Sequence, residues 1–404
     1  LVDHAQSFIA VLTVAALAPI LAGLVSSRLP KIVLPVVVVE LVLGYAIGPQ
    51  GFALASSDQL LHVFSELGLG FLFFFAGYEI RFDQIRGEPL KLATKGWLLS
   101  LVLAYSLAGL LHQTGVIISG LLVGTALATT AIGTLIPILR DEDRLSGDFG
   151  RQVLAIGAVG EFGPVLIVTV LLTASNGPFE QIELLVEFLA LAVLTGIAAT
   201  GFAGRFLGFV NARMENSGQL PVRLTVLLVF GLVALAGSFG MDVILGAFAA
   251  GIIMRLIVAE RDAAVFDSKL EAVGFGLLIP FFFVVSGIDL DLASLFSSSH
   301  PILRLLTFFL LMLIVRGVPE LLLYRRALPR EELPSLALLA STQLPLVVAI
   351  TTIGLEDGSM RPETAAALVS AAVLTVLVFP ALSLLLLNRP SRRAAGTYTA
   401  GTRS

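Results

Sequence analysis

A succession of apolar segments, each about 20 residues long, is the feature that most narrows what this chain can become. The connections between them are short, and their charges change sign from one to the next. Of 404 residues, 57% are hydrophobic and 13% are charged, against roughly 25% charged in a soluble domain. A water-soluble chain of this composition could not cover its surface with polar groups, so lipid is the expected solvent. A β-barrel would need spans near ten residues with period-two alternation, and that pattern is not seen. The expectation is an all-α polytopic membrane protein of about 13 spans. They fall roughly at 6–25, 32–47, 60–79, 92–111, 115–138, 151–173, 181–203, 222–239, 243–258, 270–287, 301–323, 334–354 and 362–387.

Lys and Arg gather after the odd-numbered spans: Arg28 and Lys31, then Arg81 to Lys95, Arg140 to Arg151, Arg205 to Arg223, Arg255 to Lys269, and Arg325 to Arg330. The alternate connections hold Asp58, Glu180, Asp242, Asp289, Asp291, Glu356 and Asp357, with Arg361 the exception. By the positive-inside rule the N-terminus lies outside and the C-terminus is cytoplasmic. The first segment has no basic region before it, so it reads as a membrane helix and not a cleaved signal. Residues 391–404 are polar and are expected to form a disordered cytoplasmic tail.

Cysteine is absent, which removes disulfides, thiolate metal sites and cysteine nucleophiles. The four His lie near segment ends and read as interfacial. No zinc-protease, Walker or dinucleotide signature occurs, so neither an enzyme nor an ATP-driven pump is expected, and no cofactor. The net charge of −4 and the lack of a basic face argue against nucleic acid as a partner.

Two spans do not read as simple helices. Span 5 contains GTALATTAIGTLIP, with Thr129 and Thr130 among small residues before Pro137. Span 12 contains LASTQLPLVVAITTIG, with Ser341, Thr342 and Gln343 before Pro345. Proline removes a backbone donor and disturbs the preceding turn. The freed carbonyls and Thr hydroxyls are then expected to be available to a cation. Inverted-repeat transporters place such interrupted helices at matching positions in their two halves. Spans 5 and 12 fit two such halves around a linker span.

Glu161 lies mid-span, about 15 Å from the start of its helix. Arg316 also lies mid-span, with Glu320 one turn later on the same face, a spacing that suits an internal charge pair. Charges at such depth are costly unless paired or hydrated and are functional candidates by default. Glu40 is a secondary candidate; Glu187, Glu66 and Glu79 are weaker ones, the last two near span ends where they can snorkel. A lone buried carboxylate can hold either a proton or a cation, and that competition is sufficient for one-for-one exchange. A cation channel and a non-transporting sensor remain the alternatives.

Five segments stand out along the chain: LPKIVLPVVVVELVLGYAIGPQGF, FLFFFAGYEIRFDQIR, ALATTAIGTLIPILRDED, LGAFAAGIIM and IPFFFVVSGIDLDL. Through them the chain resembles the cation:proton antiporter 2 family over nearly its whole length. The resemblance implies one transmembrane exchanger domain over 1–390 with inverted repeats and two crossing interrupted helices. A dimerising panel (6–79 and 222–287) would flank a core (92–173 and 301–387), with 181–203 as linker. It further implies a homodimer in a bacterial-type inner membrane, an elevator-like motion, and Na⁺ or K⁺ moved against H⁺. The family's crossover threonine matches Thr130, its ion-binding carboxylate falls on Glu161, and its basic residue of span 11 matches Arg316. Glu stands where relatives carry Asp, and Gly160 where they carry a polar neighbour.

Overall fold

The structure, a computed structural model, describes residues 4–28, 34–79, 85–141, 144, 145, 147–172, 220–238, 243–258, 263–297 and 300–387, with isolated positions between 183 and 194. Every regular element among these residues is helical. Eight stretches are long and apolar enough to cross a bilayer, and four shorter apolar helices accompany them. Together they cover the expected spans except the seventh (181–203). Apart from those isolated positions, the span expected as a linker lies outside the described residues, as does the 391–404 tail.

The first group of helices is α1 (His4–Arg28), α2 (Val36–Ile47) and α3 (Gln59–Tyr78). Asp58 caps α3 by accepting the Leu61 N–H at 2.8 Å. That bond, with His4 at 2.6 Å, holds the Asp58 carboxyl below the usual carboxylate range. Next come α4 (Glu88–Gln113), α5 (Gly120–Leu127), α6 (Ile132–Asp141) and α7 (Gly147–Leu172). They are followed by α8 (Leu220–Ser238), α9 (Val243–Ile257), α10 (Ala263–Val273) and α11 (Ile279–Ile288). The expected tenth span is one continuous run with a wide turn in it. Residues Gly274–Leu278 form a π-helical turn, and the Ile279 N–H reaches back to the Gly274 carbonyl. Pro280, which lacks a donor, stands immediately after this turn.

The remaining helices are α12 (Leu292–Ser297), α13 (Pro301–Leu323), α14 (Leu333–Ala340), α15 (Pro345–Glu356) and α16 (Pro362–Leu387). A 3₁₀ turn, Tyr324–Arg326, ends α13.

Helices α1, α2, α3, α9 and α11 pack on one another, as do α4, α5, α7, α13, α14 and α16. Lipid supplies no hydrophobic drive between helices, so close approach at small residues must hold them. Between α3 and α9, a Cβ at Gly251 would stand 2.0 Å from the Phe74 carbonyl oxygen, and one at Gly77 2.2 Å from that of Phe248. The two sets of helices meet at stacked Phe162 and Phe248, whose ring centroids are 5.3 Å apart.

Candidate functional site

Spans 5 and 12 are both interrupted. The first break lies between Leu127, which ends α5, and Ile132, which begins α6. The second lies between Ala340, which ends α14, and Pro345, which begins α15. Pro345 cannot donate, so the α14 hydrogen-bond ladder cannot run through it. The two breaks touch: the Ala131 N–H donates to the Thr342 carbonyl at 2.8 Å, and Gln343 Nε2 donates to the Leu127 carbonyl at 2.9 Å.

Sequence reasoning expects the carbonyls freed here to be available for a cation. Several are already used. Trp97 Nε1 donates to the Ala128 carbonyl at 3.1 Å, and the Thr375 hydroxyl donates to that of Gln343 at 3.0 Å. The Thr hydroxyls are also engaged. Thr129 donates to the Ala126 carbonyl at 2.9 Å, and Thr130 donates across the breaks to the Ala340 carbonyl at 2.7 Å. Ser341 and Thr342 donate back to Ala337 and Leu338 within their own helix. Buried backbone groups must be paired, and these interrupted helices pair mostly with each other.

Beside the breaks lies a cavity of about 310 Å³. Leu34–Val37 at the start of α2 and Leu72 to Glu79 of α3 form one wall; Thr129–Ala131, Gly133, Thr134 and Leu344–Leu346 form the other. Glu161, from the middle of α7, reaches this cavity. It is 6% exposed. Its Oε1 accepts the Ile132 N–H at 2.9 Å, at the first turn of α6, where the helix dipole favours negative charge. Its Oε2 is buried without a hydrogen-bonding partner among the described residues. The Gly133 N–H, next along α6, also lies toward this carboxylate, so its anchoring comes from the first turn of that helix.

Glu79 lines the same cavity. Sequence reading ranks it as a snorkelling residue. It caps the C-terminal end of α3, and its Oε2 lies 3.4 Å from where a Cβ on Gly133 would stand. Glu79 and Glu161 therefore share one electrostatic environment. The available sequence signal is weak: a carboxylate directly after a run of phenylalanines that ends a span. Glu40 is buried on α2 but does not line the cavity. Glu187 is exposed.

Arg316 does not bind Glu161. Its Nε donates to the Thr130 hydroxyl at 2.9 Å and its Nη1 to the Ser100 hydroxyl at 3.1 Å. Glu320 Oε1 lies 3.8 Å from Nη1, close enough to be a charge partner but too far to be a hydrogen bond. Thr130 also explains Gly160. A Cβ there would stand 2.7 Å from Thr130 Oγ1 and 3.0 Å from Arg316 Nη2, so the space of the polar neighbour expected from the resemblance is filled. Thr130 thus joins both breaks, α7 and α13. Thr130→Val removes the acceptor of a buried guanidinium, and the expected cost is about 1.5–3 kcal/mol of stability. Thermal unfolding of the purified protein in detergent checks this, with Thr130→Ser retaining parental stability to within about 1 kcal/mol.

Comparison with known proteins follows the same outline. The chain is 28% identical over 393 residues to YjbQ of Bacillus subtilis (strain 168), which covers 93% of this chain and 62% of that protein. It is 23% identical over 288 residues to "Probable Na(+)/H(+) antiporter 3" of Methanocaldococcus jannaschii, covering 70% and 73%. With the glutathione-regulated potassium-efflux system protein KefC of Salmonella schwarzengrund it shares 27% identity, covering 88% and 57%. The chain thus spans less than two thirds of the length of YjbQ and of KefC. Among solved structures, the sodium proton antiporter MjNhaP1 of Methanocaldococcus jannaschii superposes with a TM-score of 0.65 at 17% identity, over 95% of this chain and 99% of that one. The fold is therefore that of a sodium/proton antiporter. The family described as sodium/hydrogen exchanger, transmembrane, matches residues 12–385, and this multi-pass membrane protein belongs to it.

Proposed function

We propose that the chain is a secondary antiporter exchanging a monovalent cation, Na⁺ or K⁺, for H⁺ by competition at Glu161. The observation that carries this reading is the anchored, cavity-lining carboxylate of Glu161: Oε1 is held by the Ile132 N–H at the start of α6, and Oε2 is buried with no hydrogen bond of its own among the described residues. A proton on Glu161 leaves when a cation binds, and returns when the cation leaves. Both loaded forms are neutral at this group, whereas the empty carboxylate is an anion in a largely apolar place and is costly to move. The exchange is accordingly one for one and electroneutral. The names of the relatives, antiporters and a potassium-efflux system, support the substrate class.

Further parts of the reading follow from the packing. The touching breaks support an inverted-repeat fold of about 13 spans with two crossing interrupted helices. The separate packing of the two sets of helices supports a panel (6–79 and 222–287) and a mobile core (92–173 and 301–387), with the cavity at their seam and elevator-like access. Residues 181–203 serve as the linker. The protein works as a homodimer in a bacterial-type inner membrane, N-terminus outside. Thr129, Ser341, Thr342 and Gln343 shape the breaks, and Thr130 braces them. Glu40 has no direct part.

Competition is tested by proton release. Cation added to unbuffered, detergent-purified protein is expected to release at least one proton per ion bound. Cation binding without proton release would contradict the proposal. Glu79 raises cation occupancy through the field of the shared cavity, so Glu79→Gln is expected to weaken apparent cation affinity by about three- to tenfold while leaving proton release intact. Isothermal titration with Na⁺ and K⁺ measures this.

A further inference from the structure

A second buried carboxylate has no task in the exchange just described. Arg316, Glu320 and Tyr324 follow at four-residue intervals along α13 and its terminal turn, so they share one face. None is more than 1% exposed. Both Glu320 oxygens, the Tyr324 hydroxyl and Arg316 Nη2 are buried without a hydrogen-bonding protein partner among the described residues. The one cation beside Glu320 is Arg316, and it spends its directed bonds elsewhere, on Thr130 and Ser100. From α4, Gly96 faces Glu320 with no side chain; a Cβ there would stand 3.1 Å from Oε2.

Among the described residues the surroundings add no other charge. On α4, Ala93 and Ser100 flank Gly96, while Lys91 and Lys95 are exposed. Helices α5 and α12 carry no titratable residue, and on α14 the only polar side chain is Ser335. On α16, Glu363 is taken by Arg304. Arg325 and Arg326 are exposed, Glu332 is part-exposed, and Glu161, the residue after Gly160, lines the other cavity. Polar atoms buried this way are normally satisfied by internal water. The stripe of three such groups ends at Tyr324, where α13 ends.

We propose that Glu320 is a second proton-binding site of the core, distinct from the Glu161 cavity, whose occupancy sets cation affinity. This rests on the Glu161 reading. The step is simple: a hydronium ion at the Tyr324 end gives its proton to the Glu320 carboxylate, leaving water and a carboxylic acid, and the reverse releases it. Protonation of Glu320 leaves Arg316 uncompensated. The Arg316 guanidinium bonds the Thr130 hydroxyl and lies 3.0 Å from where a Cβ on Gly160 would stand, and Gly160 immediately precedes Glu161 on α7, so the uncompensated guanidinium charge opposes a cation there. Linkage is reciprocal: cation binding expels the Glu320 proton.

The test is equilibrium binding of Na⁺ and K⁺ to the purified full chain as pH is varied. Competition at one group changes apparent affinity by at most tenfold per pH unit. The parental chain is expected to exceed tenfold in the range where Glu320 titrates. Glu320→Gln should fall back to tenfold or less and bind more weakly at alkaline pH; Glu320→Asp should keep the steep dependence. Equal slopes for the parental chain and Glu320→Gln would overturn the proposal and leave the Glu161 reading standing. Loss of pH dependence in the parental chain would instead overturn the Glu161 reading. Should Glu320→Gln not fold, infrared difference spectra of a Glu161→Gln, Glu79→Gln double variant decide, recorded with and without Glu320→Asp. A titrating carboxylic acid band that shifts on Glu320→Asp supports Glu320, and titrating bands that are all unmoved by Glu320→Asp overturn the proposal.

Discussion

Glu161→Gln is expected to abolish cation-coupled proton movement, by at least about a hundredfold, while the protein remains folded. The amide keeps the shape of the carboxyl group, and its oxygen can still accept the Ile132 N–H. What it cannot do is ionise. A cation leaving water for the cavity beside Phe73, Phe283 and Leu346 then meets no compensating charge at the buried end of the site. An unpaired charge in an apolar setting costs several kcal/mol, and 1.4 kcal/mol is already about a tenfold loss of affinity. Glu79 adds negative field but is farther out on α3, so it does not replace Glu161. Transport in proteoliposomes, with thermal unfolding as the folding control, measures the effect. Parental exchange by a folded Glu161→Gln protein would be contrary to the account.

Gly251→Ala is expected to be the most damaging small substitution in the helix packing. Its Cβ would stand 2.0 Å from the Phe74 carbonyl oxygen and 2.8 Å from the Tyr78 nitrogen, both backbone atoms of α3. No rotamer change relieves such a contact, so α3 and α9 must part. Gly77, reaching toward Phe248 from the opposite helix, would lose its fit in the same movement. Overpacking usually costs about 1–3 kcal/mol; a clash with the backbone of α3 should reach or pass the upper end. Gly109→Ala is the matched control, because nothing lies within 4 Å of a Cβ there. It should be neutral or add up to about 1 kcal/mol from helix propensity. Unfolding midpoints in detergent compare the two. Equal midpoints would show that the α3–α9 crossing is not held by close approach.

Much of this architecture is legible in the chain because the bilayer imposes a length. An apolar run near 20 residues has few other uses, and α1, α4, α7, α13 and α16 begin and end within a few residues of where hydropathy places them. The breaks are legible too: Pro345 removes a donor, and small residues with Thr129 and Thr130 mark the other interruption. Glu161 stands out by depth alone. What the breaks do with their carbonyls is not legible, because the donors come from afar. Trp97 lies on α4 and Gln343 on the opposite break, and no spacing announces either.

Glu79 is missed for a related reason. Its distance from a span centre suggests exposure, but the short α6 brings Gly133 against it and folds the end of α3 into the cavity wall. The four-residue spacing of Arg316 and Glu320 predicts a charge pair, and the two groups do lie 3.8 Å apart. What the spacing does not announce is that the guanidinium spends its directed bonds on Thr130 and Ser100, which leaves Glu320 without a hydrogen-bond donor among the described residues.

The most direct test of one-for-one exchange at Glu161 is the simultaneous measurement of cation and proton flux in proteoliposomes at clamped membrane potential, with Na⁺, K⁺ and Li⁺ offered in turn. The account predicts one proton moved against each cation for at least one of these ions, at a rate that does not respond to the potential. Cation flux that follows the potential without proton counterflow, or no flux with any of the three, would contradict it.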